Sequence, residues 1–144
     1  MPDTPDAPIA PVATDGHNAT AVSTTAPHTH VGSLSSAISN AVVGLLRDYT
    51  GRGPTHARTT IGPDTIVVTL RNSLTKAERT LASHGQELEV LAMRRAFQNT
   101  MRNELIAAVE RLTSRSVEAF LSDNLYEPDV AVEIFLLAPH VDGA

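Results

Sequence analysis

The chain of 144 residues contains no cysteine, only 3% aromatic residues and no surplus of basic residues. The absence of cysteine excludes disulfide bonds, thiolate metal sites and cysteine nucleophiles. The formal net charge is −5, and between residues 34 and 138 there are 12 acids against 11 bases. Nucleic-acid-binding domains need cations for phosphates and aromatic rings for stacked bases. We therefore expect no nucleic-acid partner.

Long apolar runs are also missing. The longest uncharged apolar stretches, AVVGLL and IFLLA, are far shorter than the roughly 20 residues that a membrane-spanning helix needs. The first residues, MPDTPDAPIAP, have acids and prolines where a secretion signal would have a basic start and an apolar run. These features predict a cytoplasmic protein.

The length leaves room for one domain. Residues 1–32 are rich in Pro, Ala and Thr and show neither a helical nor a strand period, so they are expected to form a disordered tail. Residues 33–138 carry the periodic patterns and are predicted to fold as a single α+β domain. Residues 139–144 are expected to be a short flexible C-terminus.

Hydrophobic spacing predicts three helices. Leu34, Ile38, Val42 and Leu46 lie on one helical face, which indicates a helix over about 34–50 that ends at Gly51. A capping box, in which the Thr75 hydroxyl and the Glu78 carboxylate each bond to the other residue's amide, marks a short helix ending near residues 84–85. A continuous apolar stripe predicts a long core helix over 86–113, through Val90, Met93, Phe97, Met101, Leu105, Ala108 and Leu112.

Two pairs of extended segments complete the pattern. β-branched residues flank the turn residues 62–64 and predict a hairpin over 56–61 and 65–71. A second pair, about 116–122 and 129–137, flanks a polar loop. The order is α-ββ-α-α-ββ, which predicts a four-stranded antiparallel sheet, made from two hairpins, packed against helices.

The turn from Tyr49 to Arg58 is the most unusual segment, because two glycines, two arginines and a histidine fall close together. The functional interpretation is an anion site for a carboxylate, bicarbonate or phosphate, held by Arg52, Gly53, His56 and Arg58. The structural interpretation is a helix cap followed by a tight turn. The second is favoured because the glycines follow a helix C-terminus, where the dipole repels anions.

The last predicted strand is expected to begin half-exposed and to end apolar on both faces. Such a strand is normally central in a sheet or covered by a partner. Its apolar end therefore predicts an oligomer interface formed by Ile134, Phe135, Leu136 and Leu137, most simply in a homodimer.

Motifs for metal binding and for catalysis are absent from the sequence. The histidines do not have the spacing of metal ligands on a helix, and the oxygen-rich stretch Asp123–Asp129 lacks the rhythm of a calcium loop. No nucleophile elbow or catalytic pair is present. We expect no metal, no cofactor and no catalytic residues.

Four stretches carry a family resemblance: ISNAVVGLLRDYTGRGPTHART, IVVTLRNSLTKAERTLA, MRRAFQNTMRNELIAAVERLTSR and VEAFLSDNLYEPDVAVEIFLL. Together they span nearly all of residues 34–137, and they resemble the small MpsC-type family. That family is named for the third member of a sodium-translocating, membrane-potential-generating system whose other components are linked to inorganic-carbon uptake. The resemblance carries over no catalytic residues.

We expect a non-enzymatic accessory or regulatory interaction domain, and the resemblance implies that it is a peripheral component linked to sodium or inorganic-carbon transport. The alternative is a sensor or enzyme for small anions that uses the turn from Tyr49 to Arg58. Binding of bicarbonate or phosphate would distinguish the second from the first.

Overall fold

The computed structural model describes residues 26–140. In chain order the elements are α1 (Ala26–Thr50), β1 (His56–Ile61), β2 (Thr65–Arg71), α2 (Lys76–Ser83), α3 (Glu87–Thr113), β3 (Val117–Leu125) and β4 (Val130–Leu137). The predicted α-ββ-α-α-ββ order is confirmed.

The four strands form one antiparallel sheet in the order β1-β2-β4-β3. Each hairpin contributes an edge strand and an inner strand, and the hairpins join where β2 pairs with β4. The predicted four-stranded antiparallel sheet is therefore confirmed. The first hairpin has the predicted bounds, and its turn is closed by the Gly62 amide, which donates to the Thr65 carbonyl at 2.7 Å.

Two of the three helices cover one face of the sheet. Helix α1 contacts β1, helix α3 contacts β3, and α1 and α3 also pack on each other, so they lie on the same side. The core between them and the sheet is filled by apolar side chains from every layer: Ile38, Val42, Leu46, Ile66, Val68, Leu70, Met101, Leu105, Val109, Phe120 and Phe135. The rings of Phe120 and Phe135 lie 5.1 Å apart.

Local signals explain several boundaries. Gly51 takes a positive φ of 80°, as expected for a left-handed residue just after a helix. Its amide donates a hydrogen bond to the Arg47 carbonyl. The capping box of Thr75 and Glu78 is present at the start of α2. Both predictions are confirmed.

Helix α1 begins eight residues earlier than predicted, at Ala26 rather than near residue 34. Residues 26–32, assigned above to the tail, are therefore helical, and the rest of the predicted tail lies outside the described residues, as do 141–144. Ser33, Ser35 and Ser36 are of a residue type that favours helix caps, but serine is also tolerated inside a helix. Pro27 falls in the first turn, where the missing amide hydrogen is no handicap.

Strand β3 continues to Leu125 instead of ending at residue 122. Asp123 and Asn124 were interpreted as loop residues, yet they pair with Val132 and Ala131 of β4. Their polar side chains are compatible with a strand because Asn124 bonds to Gln98 of α3 and Asp123 is exposed.

Candidate functional site

Polar residues around α3, all of them buried except the half-buried Asn124, form a connected set, here called the buried polar cluster: Ser73, Glu78, Arg94, Gln98, Asn124 and Glu133. Arg94 and Gln98 replace apolar residues on the inner stripe of α3, one turn apart, and are only 6% and 4% exposed. Met93, which the sequence pattern placed on that stripe, is 39% exposed. The inner face of α3 is therefore polar at Arg94 and Gln98, between the buried apolar residues Val90 and Met101.

Arg94 is the centre of the cluster. Its guanidinium donates to both carboxylate oxygens of Glu78, at 3.2 and 3.3 Å, to the Ser73 hydroxyl at 2.6 Å and to the Asn124 side-chain oxygen at 3.1 Å. Glu78 also accepts the Thr75 amide. Because the charge is paired and each of the three guanidinium nitrogens donates a hydrogen bond, this arrangement ties α2, α3 and β3 together.

Gln98 connects the cluster to Glu133. Its amide nitrogen donates to Glu133 Oε1 at 3.1 Å, and it exchanges hydrogen bonds with the Asn124 amide. Contrary to the expectation of a half-exposed strand start, Glu133 is fully buried in β4. Within the described residues, Glu133 Oε2 and Ser122 Oγ have no hydrogen-bond partner.

Burial raises the pKa of Glu133 to about 7, while the hydrogen bond from Gln98 and the charge of Arg94 act in the opposite direction. Desolvation disfavours the ionised carboxylate more than these groups stabilise it. The adjoining cavity, lined by Arg94, Gln98 and Asn124, has a volume of only about 10 Å³, the size of one water at most. The cluster therefore has a titratable group, and this cavity has no room for a substrate.

The predicted anion residues do not all come together. His56 and Arg58 line an open groove of about 610 Å³ on β1 and β2, and Arg71, which is not one of the predicted anion residues, lies beside them. His56 and Arg71 are paired across the two strands.

Arg52 and Gly53 lie outside the lining of that groove. The Arg52 guanidinium instead points to the Asn72 carbonyl at 3.4 Å, and a Cβ added to Gly53 would meet Val43 and Arg47. Tyr49, at the start of the turn, donates its hydroxyl hydrogen to Glu104 of α3. The site thus divides into a helix cap and a separate basic pair on the sheet, Arg58 and Arg71.

The predicted interface residues also separate. Phe135 and Leu137 point towards the helices and are 0% and 4% exposed, so they belong to the chain's own core and are not available to a partner. Ile134 and Leu136 point to the opposite face and are half-buried. Strand alternation splits the four residues because successive side chains lie on opposite faces.

The face of the sheet turned away from α1 and α3 is here called the open sheet face. Its centre is apolar, and the apolar side chains at its β3 edge are 56% exposed at both Leu121 and Leu125. Basic residues lie on β1 and β2, and an acid lies on β3. Its members are His56, Arg58, Thr60, Thr65, Val67, Thr69, Arg71, Ala119, Leu121, Asp123, Leu125, Val130, Val132, Ile134 and Leu136.

Within the part of the chain that the structure describes, no three acidic or histidine side chains converge in the manner of a metal site. Among these residues there is also no helix with the length and apolar character needed to cross a bilayer.

Neither the curated proteins nor the solved structures contain a match to this chain. A family model does match, over residues 30–139, and it is described as the Na+-translocating membrane potential-generating system (MpsC). The match covers most of the chain and all of the β-sheet. The chain belongs to the MpsC family.

Proposed function

We propose that this protein is a non-enzymatic accessory component linked to a Na+-translocating, membrane-potential-generating system, acting in the cytoplasm as a homodimer. The family description supports the link to sodium translocation. The accessory role is supported by the open sheet face, whose apolar centre the described residues leave uncovered and which is suited to association.

The buried polar cluster supports the non-enzymatic part of the proposal. Arg94 is paired and hydrogen-bonded on all sides, and the neighbouring cavity of about 10 Å³ cannot admit a substrate. Such a network stabilises and orients elements rather than performing chemistry.

A complementation experiment tests the accessory role. Deletion of the gene is expected to lower the sodium-dependent membrane potential and growth at low carbon dioxide, and the wild-type gene should restore both. Leu121→Lys, on the open sheet face, should fail to restore them, whereas Leu88→Lys, at a 75% exposed position of α3, should succeed. Deletion without any effect on membrane potential or low-carbon growth would contradict the role.

The basic pair on the sheet favours a second function, the binding of a small anion. Arg58 and Arg71 line the same groove, and two guanidinium groups are suited to carboxylate, bicarbonate or phosphate. Calorimetry with bicarbonate, phosphate and nucleotides tests it: Arg58→Ala or Arg71→Ala should weaken binding about tenfold, while Arg52→Ala, outside the groove, should not. Absence of heat with all of these anions removes this alternative.

A further inference from the structure

The charges of the open sheet face are arranged in register across the sheet. Arg58 pairs with Thr69, Thr69 with Val132, and Val132 with Asp123, so these four residues form one row from the β1 edge to the β3 edge. The row is basic at one end and acidic at the other. Its two inner positions, Thr69 and Val132, carry no charge.

Of the two neighbouring rows, one carries His56 and Arg71, and the other is uncharged from edge to edge. Thr60, Val67, Ile134 and Leu121 follow one another across the four strands. None of these apolar side chains packs against the hydrophobic core. The open sheet face therefore offers an apolar band beside a row with opposite charges at its ends.

This pattern is self-complementary under one two-fold rotation. Two sheets that pack face to face keep their strands within about 30° of each other. If the two-fold axis runs parallel to the strands, β1 of one copy lies over β3 of the other. Each row of residues across the sheet then lies over the same row of the second copy. Arg58 of each copy then faces Asp123 of the other, and Val67 faces Ile134.

The other face-to-face two-fold axis runs across the strands and places β1 over β1. That arrangement brings His56 and Arg58 of one copy against the same basic strand of the second copy. Like charges across an interface are unfavourable. The charge distribution therefore selects the axis parallel to the strands.

The geometry points to a homodimer in which two open sheet faces pack together about a two-fold axis parallel to the strands, with reciprocal Arg58–Asp123 ion pairs. This inference rests on the proposed homodimer and adds its arrangement. A sheet face of four strands and about seven residues covers roughly 400 Å² in projection. A standard interface buries about 800 Å² on each partner, so we expect a weak dimer that dissociates on dilution.

Charge reversal tests the arrangement. Sedimentation velocity of the full chain, from about 1 to about 200 µM, should show a dimer for the wild type. Arg58→Asp and Asp123→Arg should each raise the dissociation constant at least about tenfold, because each change places two like-charge contacts in the dimer. The double variant Arg58→Asp/Asp123→Arg should restore the dissociation constant to within about threefold of the wild-type value.

Mixing the two single variants should also restore the dimer, since each supplies the charges that the other needs. Arg95→Asp and Glu89→Arg, at exposed positions of α3, are the matched controls and should leave dimerisation unchanged. Circular dichroism of every variant verifies that the fold is retained.

The outcomes distinguish a wrong dimer arrangement from the absence of a dimer. A wild-type dimer that is indifferent to both single reversals would overturn the arrangement and leave the proposed homodimer in place. A wild-type chain that remains monomeric at about 200 µM would overturn both.

Discussion

Glu133 lies in the middle of β4 with no exposed surface, and its carboxyl group has a pKa raised by burial to about 7. The folded chain therefore holds a proton on Glu133 at pH values where the unfolded chain has released it. By linkage, this group favours folding at low pH, and its contribution is lost as the pH rises from about 4.5 to about 7. Above that range the buried charge destabilises the fold by about 3 kcal/mol.

Glu133→Gln is expected to raise the free energy of unfolding by up to about 3 kcal/mol at pH 8 and to have little effect near pH 4.5. Glutamine mimics the protonated acid: its oxygen can accept from Gln98, and its amide can donate towards the Ser122 hydroxyl. Urea titrations of both proteins at the two pH values measure the difference. Glu89→Gln, on the exposed side of α3, is the control, and equal stability of Glu133→Gln and wild type at pH 8 would contradict the account.

These buried polar residues were not predictable from the sequence. Arg94 and Gln98 have partners that are distant along the chain: Glu78 is 16 residues from Arg94, and Glu133 is 35 residues from Gln98. A polar residue on an inner face is stable only when such partners converge on it, and local spacing does not show that convergence. Glu78 had a visible local role, the capping box, but not its second role as the partner of Arg94.

At the scale of elements, Arg94 and Glu78 fasten α2 to α3. Both side chains are less than a tenth exposed, so removing one partner leaves an uncompensated buried charge. Arg94→Met is expected to lower the free energy of unfolding by about 3–5 kcal/mol. Adding Glu78→Gln, which keeps an acceptor for the helix cap, should recover at least about 1 kcal/mol of that loss.

A double-mutant cycle by urea unfolding measures this coupling. Arg95→Met, at an exposed neighbouring position of α3, is the control and should change stability by less than about 0.5 kcal/mol. Strict additivity of Arg94→Met and Glu78→Gln would show that the ion pair does not join the two helices.

Most elements could be predicted because local signals and tertiary structure agree. Gly62 to Asp64 separates two β-branched runs, and the first hairpin follows with the predicted bounds. The end of β3 could not be predicted, since Asn124 resembles a turn residue until its contact with Gln98 is known. In the same way, the C-terminal end of β4 is apolar on both faces, and the sequence does not say which face the helices cover.

At the scale of the whole molecule, the sheet has one face covered by α1 and α3 and one face that these helices leave open. The covered face uses Phe135 and Leu137 for the chain's own core, while Ile134 and Leu136 remain on the open sheet face. The prediction of an interface at the end of β4 therefore continues as a proposal for Ile134 and Leu136. The charged row from Arg58 to Asp123 supports the proposal that this face binds a second copy of the chain.

The central claim is that copies of this chain associate through the open sheet face. Sedimentation equilibrium of the wild type, Leu121→Lys and Leu88→Lys at matched concentrations tests it most directly, because both leucines are exposed and only Leu121 lies on that face. The account predicts dimers for the wild type and Leu88→Lys and monomers for Leu121→Lys, all equally folded. A monomeric wild type at about 200 µM, or a Leu121→Lys variant that dimerises as well as the wild type, would contradict it.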